Sequence, residues 1–185
     1  MVIFAVRYCY LIVGGEIRPV FATWILFALA TTIGIWTYLR SADSKKDLIT
    51  NIANTTDVFV TWSILIFLLL FGKKVRYDFS TFEVICILGV IAILIYWKVS
   101  QRANMANIAV NVILAIGYLP TIAYLWRSTT NTESFFAWIV VLVSSLIALY
   151  NPIRERNWLA LLYASRAVVS IIIIISLMIR IEFFR

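Results

Sequence analysis

Residues 158–179 read WLALLYASRAVVSIIIIISLMI. This run holds one charge and neither Gly nor Pro, and it is long enough for a helix to cross a hydrocarbon core, which takes about 20 residues at about 1.5 Å each. It shows no sustained period-two alternation, so a membrane-barrel strand does not fit it. The single charge, Arg166, falls near the middle. Outward from this run the chain repeats the pattern. Six further apolar runs lie at about 1–13, 20–39, 48–71, 79–97, 105–126 and 134–150. They are separated by breaks such as Gly14-Gly15-Glu16-Ile17-Arg18-Pro19 and Gly72-Lys73-Lys74.

Composition agrees. Of the 185 residues, 63% are hydrophobic and 14% charged, with a mean hydropathy of +0.98. A soluble domain carries about 45–50% apolar and about 25% charged residues, so lipid must cover the excess. The net charge of +7 falls in short loops between apolar runs, where basic residues hold loops at a membrane face. A lipid bilayer is therefore the expected surrounding, and nucleic acid is not an expected partner. The expectation is an all-α, multi-pass integral membrane protein of seven helices.

Local signals mark the helix ends. Ser80-Thr81-Phe82-Glu83 has the spacing of a capping box, which assigns Glu83 to the start of the fourth helix. Pro19 precedes the second helix, where its missing N–H costs little. Trp97, Trp126 and Trp158 lie at run ends and read as an interfacial belt. The first run is short: 13 residues rise about 20 Å, against a core of about 30 Å. Either this helix is short or the span begins upstream of Met1, and it is expected to be visibly shorter than the fifth.

Self-similarity refines the layout. An offset of 114 residues places Trp24 on Trp138, Tyr10-Leu11 on Tyr124-Leu125, Phe21 on Phe135, Ile25 on Ile139 and Thr31 on Ser145. The first helix then matches the fifth, the second the sixth and the third the seventh, and the fourth is left over. The expected organisation is 3+1+3: a first three-helix bundle at 1–72, a linker helix at 73–103 and a second bundle at 104–185. A single linking span makes the two repeats parallel, related by an axis along the membrane normal.

Leu119-Pro120-Thr121-Ile122, then Tyr124-Leu125-Trp126-Arg127-Ser128, then Ser134 and Trp138 resemble the PQ-loop motif. Thr121 stands where that family has Gln, and the first copy around Arg18–Trp24 lacks the Pro-Gln pair. The three-one-three layout is similar to the SWEET branch of the same superfamily. The resemblance implies a facilitator of a small polar solute held between the two bundles.

Charges at membrane depth are costly and usually face an interior. Asp57 and Arg166 each lie roughly 12–14 Å into their runs, and an offset of 109 residues makes them equivalent. The same offset pairs Asn54 with Tyr163 and Thr61 with Ser170. Spacings of three and four put Asn54, Asp57 and Thr61 on one helical face, and Tyr163, Arg166 and Ser170 on another. Asn104, Asn107 and Asn111 share a third. The expected solute-binding residues are Asp57, Arg166, Asn111, Asn54, Tyr163 and Ser170. The alternative is a non-transporting membrane subunit or receptor whose polar core is packed for structure. Arg7 is a weaker candidate, since a short first helix lets it snorkel to the interface.

Histidine is absent, and Cys9 and Cys86 sit alone in apolar runs. No cofactor, metal site or enzymatic pair is therefore expected, and both cysteines read as buried free thiols. Basic residues divide seven against seven between the two membrane sides, so charge gives no orientation. The expected location is the plasma membrane of a prokaryote, and assembly into a homo-oligomer stays open.

Overall fold

A computed structural model of the chain describes residues 2–14, 21–41, 48–71, 81–129, 131 and 133–183. These residues are helical almost throughout and contain no strand. The segments are α1 (Val2–Gly14), α2 (Phe21–Arg40), α3 (Ile52–Phe71), α4 (Thr81–Ser100), α5 (Ala103–Ile116), α6 (Leu119–Arg127), α7 (Phe135–Ala148), α8 (Tyr150–Arg154) and α9 (Trp158–Phe183). Four stretches are long and apolar enough to cross a membrane: 52–71, 103–127, 135–154 and 158–183. Apolar parts of α1, α2 and α4 are shorter. A multi-pass, membrane-embedded protein fits these helices.

Two rods that read as continuous in the sequence are interrupted, each four residues before a proline. Pro120 has no N–H to return to Ile116, and Pro152 none to return to Ala148. The chain answers with one tightened turn. Gly117 N–H reaches Ile113 O at 2.9 Å and Tyr118 N–H reaches Ala115 O at 3.1 Å. Gly117 and Leu149 keep right-handed helical angles, so the axis carries on and α5–α6 and α7–α8 each act as one rod. Seven rods result. Sharp reversals at Gln101 (φ 55°) and Arg156 (φ 51°) connect α4 to α5 and α8 to α9. Asn157 then caps α9 by accepting the Ala160 N–H at 3.1 Å, and Ser134 caps α7 by accepting from Ala137.

Neighbour relations fix the arrangement. α3 packs on both α1 and α2, and α9 packs on α5, α6 and α7. α2 also packs on α5, α1 on α7, and α3 on α9; α4 lies against α2 and α5. One end of the bundle gathers the end of α2, the turn before α3, the end of α4 and the start of α9. Asn157 donates to Tyr38 Oη at 2.8 Å, Asn151 to Ile49 O at 3.3 Å, and Trp36 meets Trp97 edge-on at 5.4 Å. At the other end Arg180 of α9 donates to Leu125 O and Trp126 O of α6 at 3.0 and 2.8 Å. It thereby closes carbonyls that a helix terminus leaves open.

Several local expectations meet the structure directly. Trp126 and Trp158 are exposed, as belt residues must be, but Trp97 is buried at 6% exposure. It packs against Ala103 and Ala106, because the tight turn at Gln101 folds α5 back onto the end of α4. Cys86 is buried and Cys9 is half-buried, and neither forms a disulfide among the described residues. The first helix has 13 residues, and the 103–127 rod has 25. Arg7 is exposed and stacks on Tyr10 at 5.3 Å. Pro19, Ser80 and the Glu83 side chain lie outside the described residues.

Candidate functional site

Gly34, midway along α2, is where two neighbouring helices come close. From α5, Asn107 donates through Nδ2 to Gly34 O at 2.7 Å and to Thr37 Oγ1 at 3.2 Å. From α3, Asn54 sits against the same turn. With its amide oriented to satisfy both groups, it donates to Thr31 O at 3.1 Å and accepts from Ile35 N at 2.9 Å. A Cβ on residue 34 would stand 3.1 Å from the Asn54 side-chain amide. Thr31 and Thr61 meet hydroxyl to hydroxyl at 3.3 Å and extend the contact along α2 and α3. Asn111, one turn past Asn107, donates to Asn107 O at 3.0 Å and Oδ1 at 3.2 Å, and its own Oδ1 is buried without a partner. Asn54, Asn107 and Asn111 are all at most 3% exposed. Amides can serve here because apolar helices gain little from one another in lipid, and small residues and interhelical hydrogen bonds supply the specificity.

One turn beyond Asn54 stands Asp57. It shares a helical face with the buried residues Asn54, Thr61, Ile64 and Leu68, whereas Phe59, Trp62, Ile66 and Leu70 form the exposed face of α3. Arg166 is spaced by seven, three, four and eleven residues from Leu159, Tyr163, Ser170 and Leu177, all buried on α9. Both charged side chains are half-buried. Their position on inward faces directs the surface they keep into the bundle.

Tyr163 links the two. Its hydroxyl donates to Asp57 Oδ2 at 2.8 Å, and its ring lies beneath the Arg166 guanidinium, 4.6 Å from Cζ to centroid. Tyr118, in the turn between α5 and α6, flanks the guanidinium at 5.9 Å. Such contacts stabilise a cation by about 0.5–2 kcal/mol, most where it is desolvated. Among the described residues no carboxylate lies within 4 Å of Arg166, and its buried Nε–H finds no acceptor. Asp57 and Arg166 act on one another through space without forming a contact ion pair.

Of the expected site residues, the structure brings Asp57, Tyr163 and Arg166 into one cluster. Asn54 lies one turn before Asp57 on α3 but bonds to α2. Asn111 belongs to the α5 amide chain. Ser170 is buried one turn beyond Arg166 and adds no hydrogen bond to the cluster. Tyr118 escapes a reading by charge and depth. The signal for it is the Gly-Tyr-Leu-Pro sequence, which marks a helix interruption in mid-span. Tyr118 also stands in a row of rings, near Phe27 at 6.0 Å and Trp138 at 6.5 Å. Trp24 meets Phe27 at 6.4 Å and Tyr8 at 5.0 Å. Among the described residues no three His, Cys, Asp or Glu side chains gather as metal ligands. No protein-family model, curated protein or solved structure matches the chain.

Proposed function

We propose that the chain is a membrane facilitator of a small polar solute, which binds beside Asp57, Tyr163 and Arg166 in the interior of a seven-span bundle. One observation carries the reading. Two opposite charges sit on inward faces, Asp57 in the second turn of α3 and Arg166 in the first half of α9, half-buried and not in contact with one another. Each isolated charge at the centre of a span costs about 2.5–3.5 kcal/mol even on the permissive insertion scale. A purely structural use would close them into a contact pair.

The reading includes the 3+1+3 organisation, with bundles at 1–72 and 104–185 and a linker helix between. The neighbour relations support it. The third rod lies between the first and second in each half, and the seams α2–α5 and α1–α7 correspond under the repeat. The SWEET-like resemblance and a prokaryotic plasma membrane belong to the same proposal.

The alternative, a non-transporting subunit or receptor, draws on the amide network around Gly34, which is packed nearly to zero exposure. Flux into proteoliposomes decides between them. Asp57→Asn and Arg166→Gln are each expected to leave a folded protein that no longer moves solute. If both variants lose the fold and the wild type carries no flux, the packed-core reading stands instead.

A further inference from the structure

We propose that the solute is zwitterionic: a small molecule carrying a carboxylate and a protonated amine, as an α-amino acid does. This rests on the facilitator reading and names its substrate class.

The geometry of one side chain carries the argument. Tyr163 donates its hydroxyl to Asp57 and places its ring face under Arg166, so it binds both charges and holds them apart. The guanidinium is therefore supported by rings, with Tyr118 on a second side. The Tyr118 hydroxyl hydrogen-bonds the guanidinium, but ring faces offer a cation no in-plane acceptor, and the Nε–H stays unpartnered. Planar N–H groups in a fixed fork match a carboxylate. Asp57 supplies the complementary group, an anion whose hydrogen bond comes from a neutral phenol rather than from Arg166.

Charge decides among solute classes. A simple carboxylate would satisfy Arg166 and be repelled by Asp57. A simple amine would do the reverse. A neutral polyol would leave both charges without a counterion in a low-dielectric interior, where unpaired charges are most costly. A zwitterion presents the opposite sign to each and keeps the loaded site at the net charge of the empty one. The same solute crosses with no net charge of its own, so membrane potential does not oppose its passage.

The test is binding to the purified full-length protein in detergent. The probes are glycine, L-alanine and L-serine, with propionate and ethylamine as alanine lacking one charged group, and glucose as a polyol. At least one amino acid is expected to bind, with propionate and ethylamine at least about tenfold weaker, since a hydrogen bond to a charged group is worth more than a factor of ten. Arg166→Gln should reduce that amino acid to the level of ethylamine, and Arg166→Lys, which keeps the charge, should restore part of the difference. If Arg166→Gln does not fold, the unmodified protein with the two truncated probes and glucose still decides. Glucose, propionate or ethylamine binding as well as the amino acids would overturn the zwitterion assignment and leave the facilitator reading in place. Absence of binding by every probe, together with absence of flux, would overturn both.

Discussion

Gly34 carries no side chain, and two amides occupy the space that this leaves. Adding a Cβ puts it 3.1 Å from the Asn54 side-chain amide and 3.5 Å from Val110 Cγ1. Asn54 cannot retreat without giving up Thr31 O and Ile35 N. Gly34→Ala is therefore expected to lower stability by about 1–3 kcal/mol, the usual cost of overpacking a tight site, measured by thermal unfolding in detergent. Glu133 offers a second residue-scale test. It lies in the loop before α7, accepts the Trp138 Nε1–H at 3.0 Å, and burial pushes its carboxyl above the usual carboxylate range, with the Trp138 bond opposing. A carboxyl raised on folding binds its proton more tightly in the folded state. Stability from this group is thus present at low pH and falls as pH rises from the unfolded value through the raised one. Glu133→Gln should flatten that part of the stability profile, and an unchanged profile would assign the slope to other groups. Asp57 and Arg166 were legible in the sequence because a charge inside an apolar run is too costly to face lipid and must turn inward. Tyr118 was not, because a tyrosine near a run's midpoint looks the same whether it packs against lipid, a core or a cation.

The helices follow the apolar runs closely, because each span must satisfy its own backbone in lipid and little else competes. What the runs did not reveal is where a rod is interrupted. Apolarity continues straight through 116–119 and 148–150, and only the proline chemistry marks the breaks. At the first break Gly117 has a packing role as well. A Cβ there would meet Phe27 Cε1 at 2.8 Å, closer than atoms approach without movement. The ring cannot easily yield, since Phe27 packs on Trp24 and Tyr118. Gly117→Ala should cost about 1–3 kcal/mol. Combined with Phe27→Leu, it should cost clearly less than the sum of the two single changes, as residues in contact do. Additive effects in a double-mutant cycle would mean that the glycine acts only through the backbone of the α5–α6 turn. Burial of Trp97 was likewise hidden at this scale. It depends on α5 folding back over the end of α4, which no local pattern encodes.

Across the whole molecule, what apolar patterning defines least is how many rods cross the membrane. Length and hydropathy alone single out four stretches, whereas the seven-span reading also requires α1, α2 and α4 to cross. α4 decides the matter. Ile85, Leu88, Ile91, Ile95 and Val99 are all exposed along it, an apolar stripe of 14 residues' rise, roughly 21 Å. Near its end Lys98 lies over Trp36 and Trp97 at 5.7 and 5.9 Å. That placement suits a lysine reaching from a span toward the headgroups. A helix lying flat at the interface would instead show a polar face opposite the apolar one, and from Thr81 to Tyr96 the one ionisable carboxylate is Glu83. Single cysteines in a background of Cys9→Ser and Cys86→Ala distinguish the two topologies. Reporters at the exposed positions Ile49, Gln101, Thr129 and Arg156 would be probed with a membrane-impermeant thiol reagent. If seven rods cross, Ile49, Gln101 and Arg156 label from one side and Thr129 from the other. If α4 does not cross, Ile49 groups with Thr129, and Gln101 with Arg156. Labelling of Ile49 and Gln101 from opposite sides would therefore remove the linker span, and with it the parallel relation between the two halves that puts Asp57 and Arg166 at matched depth.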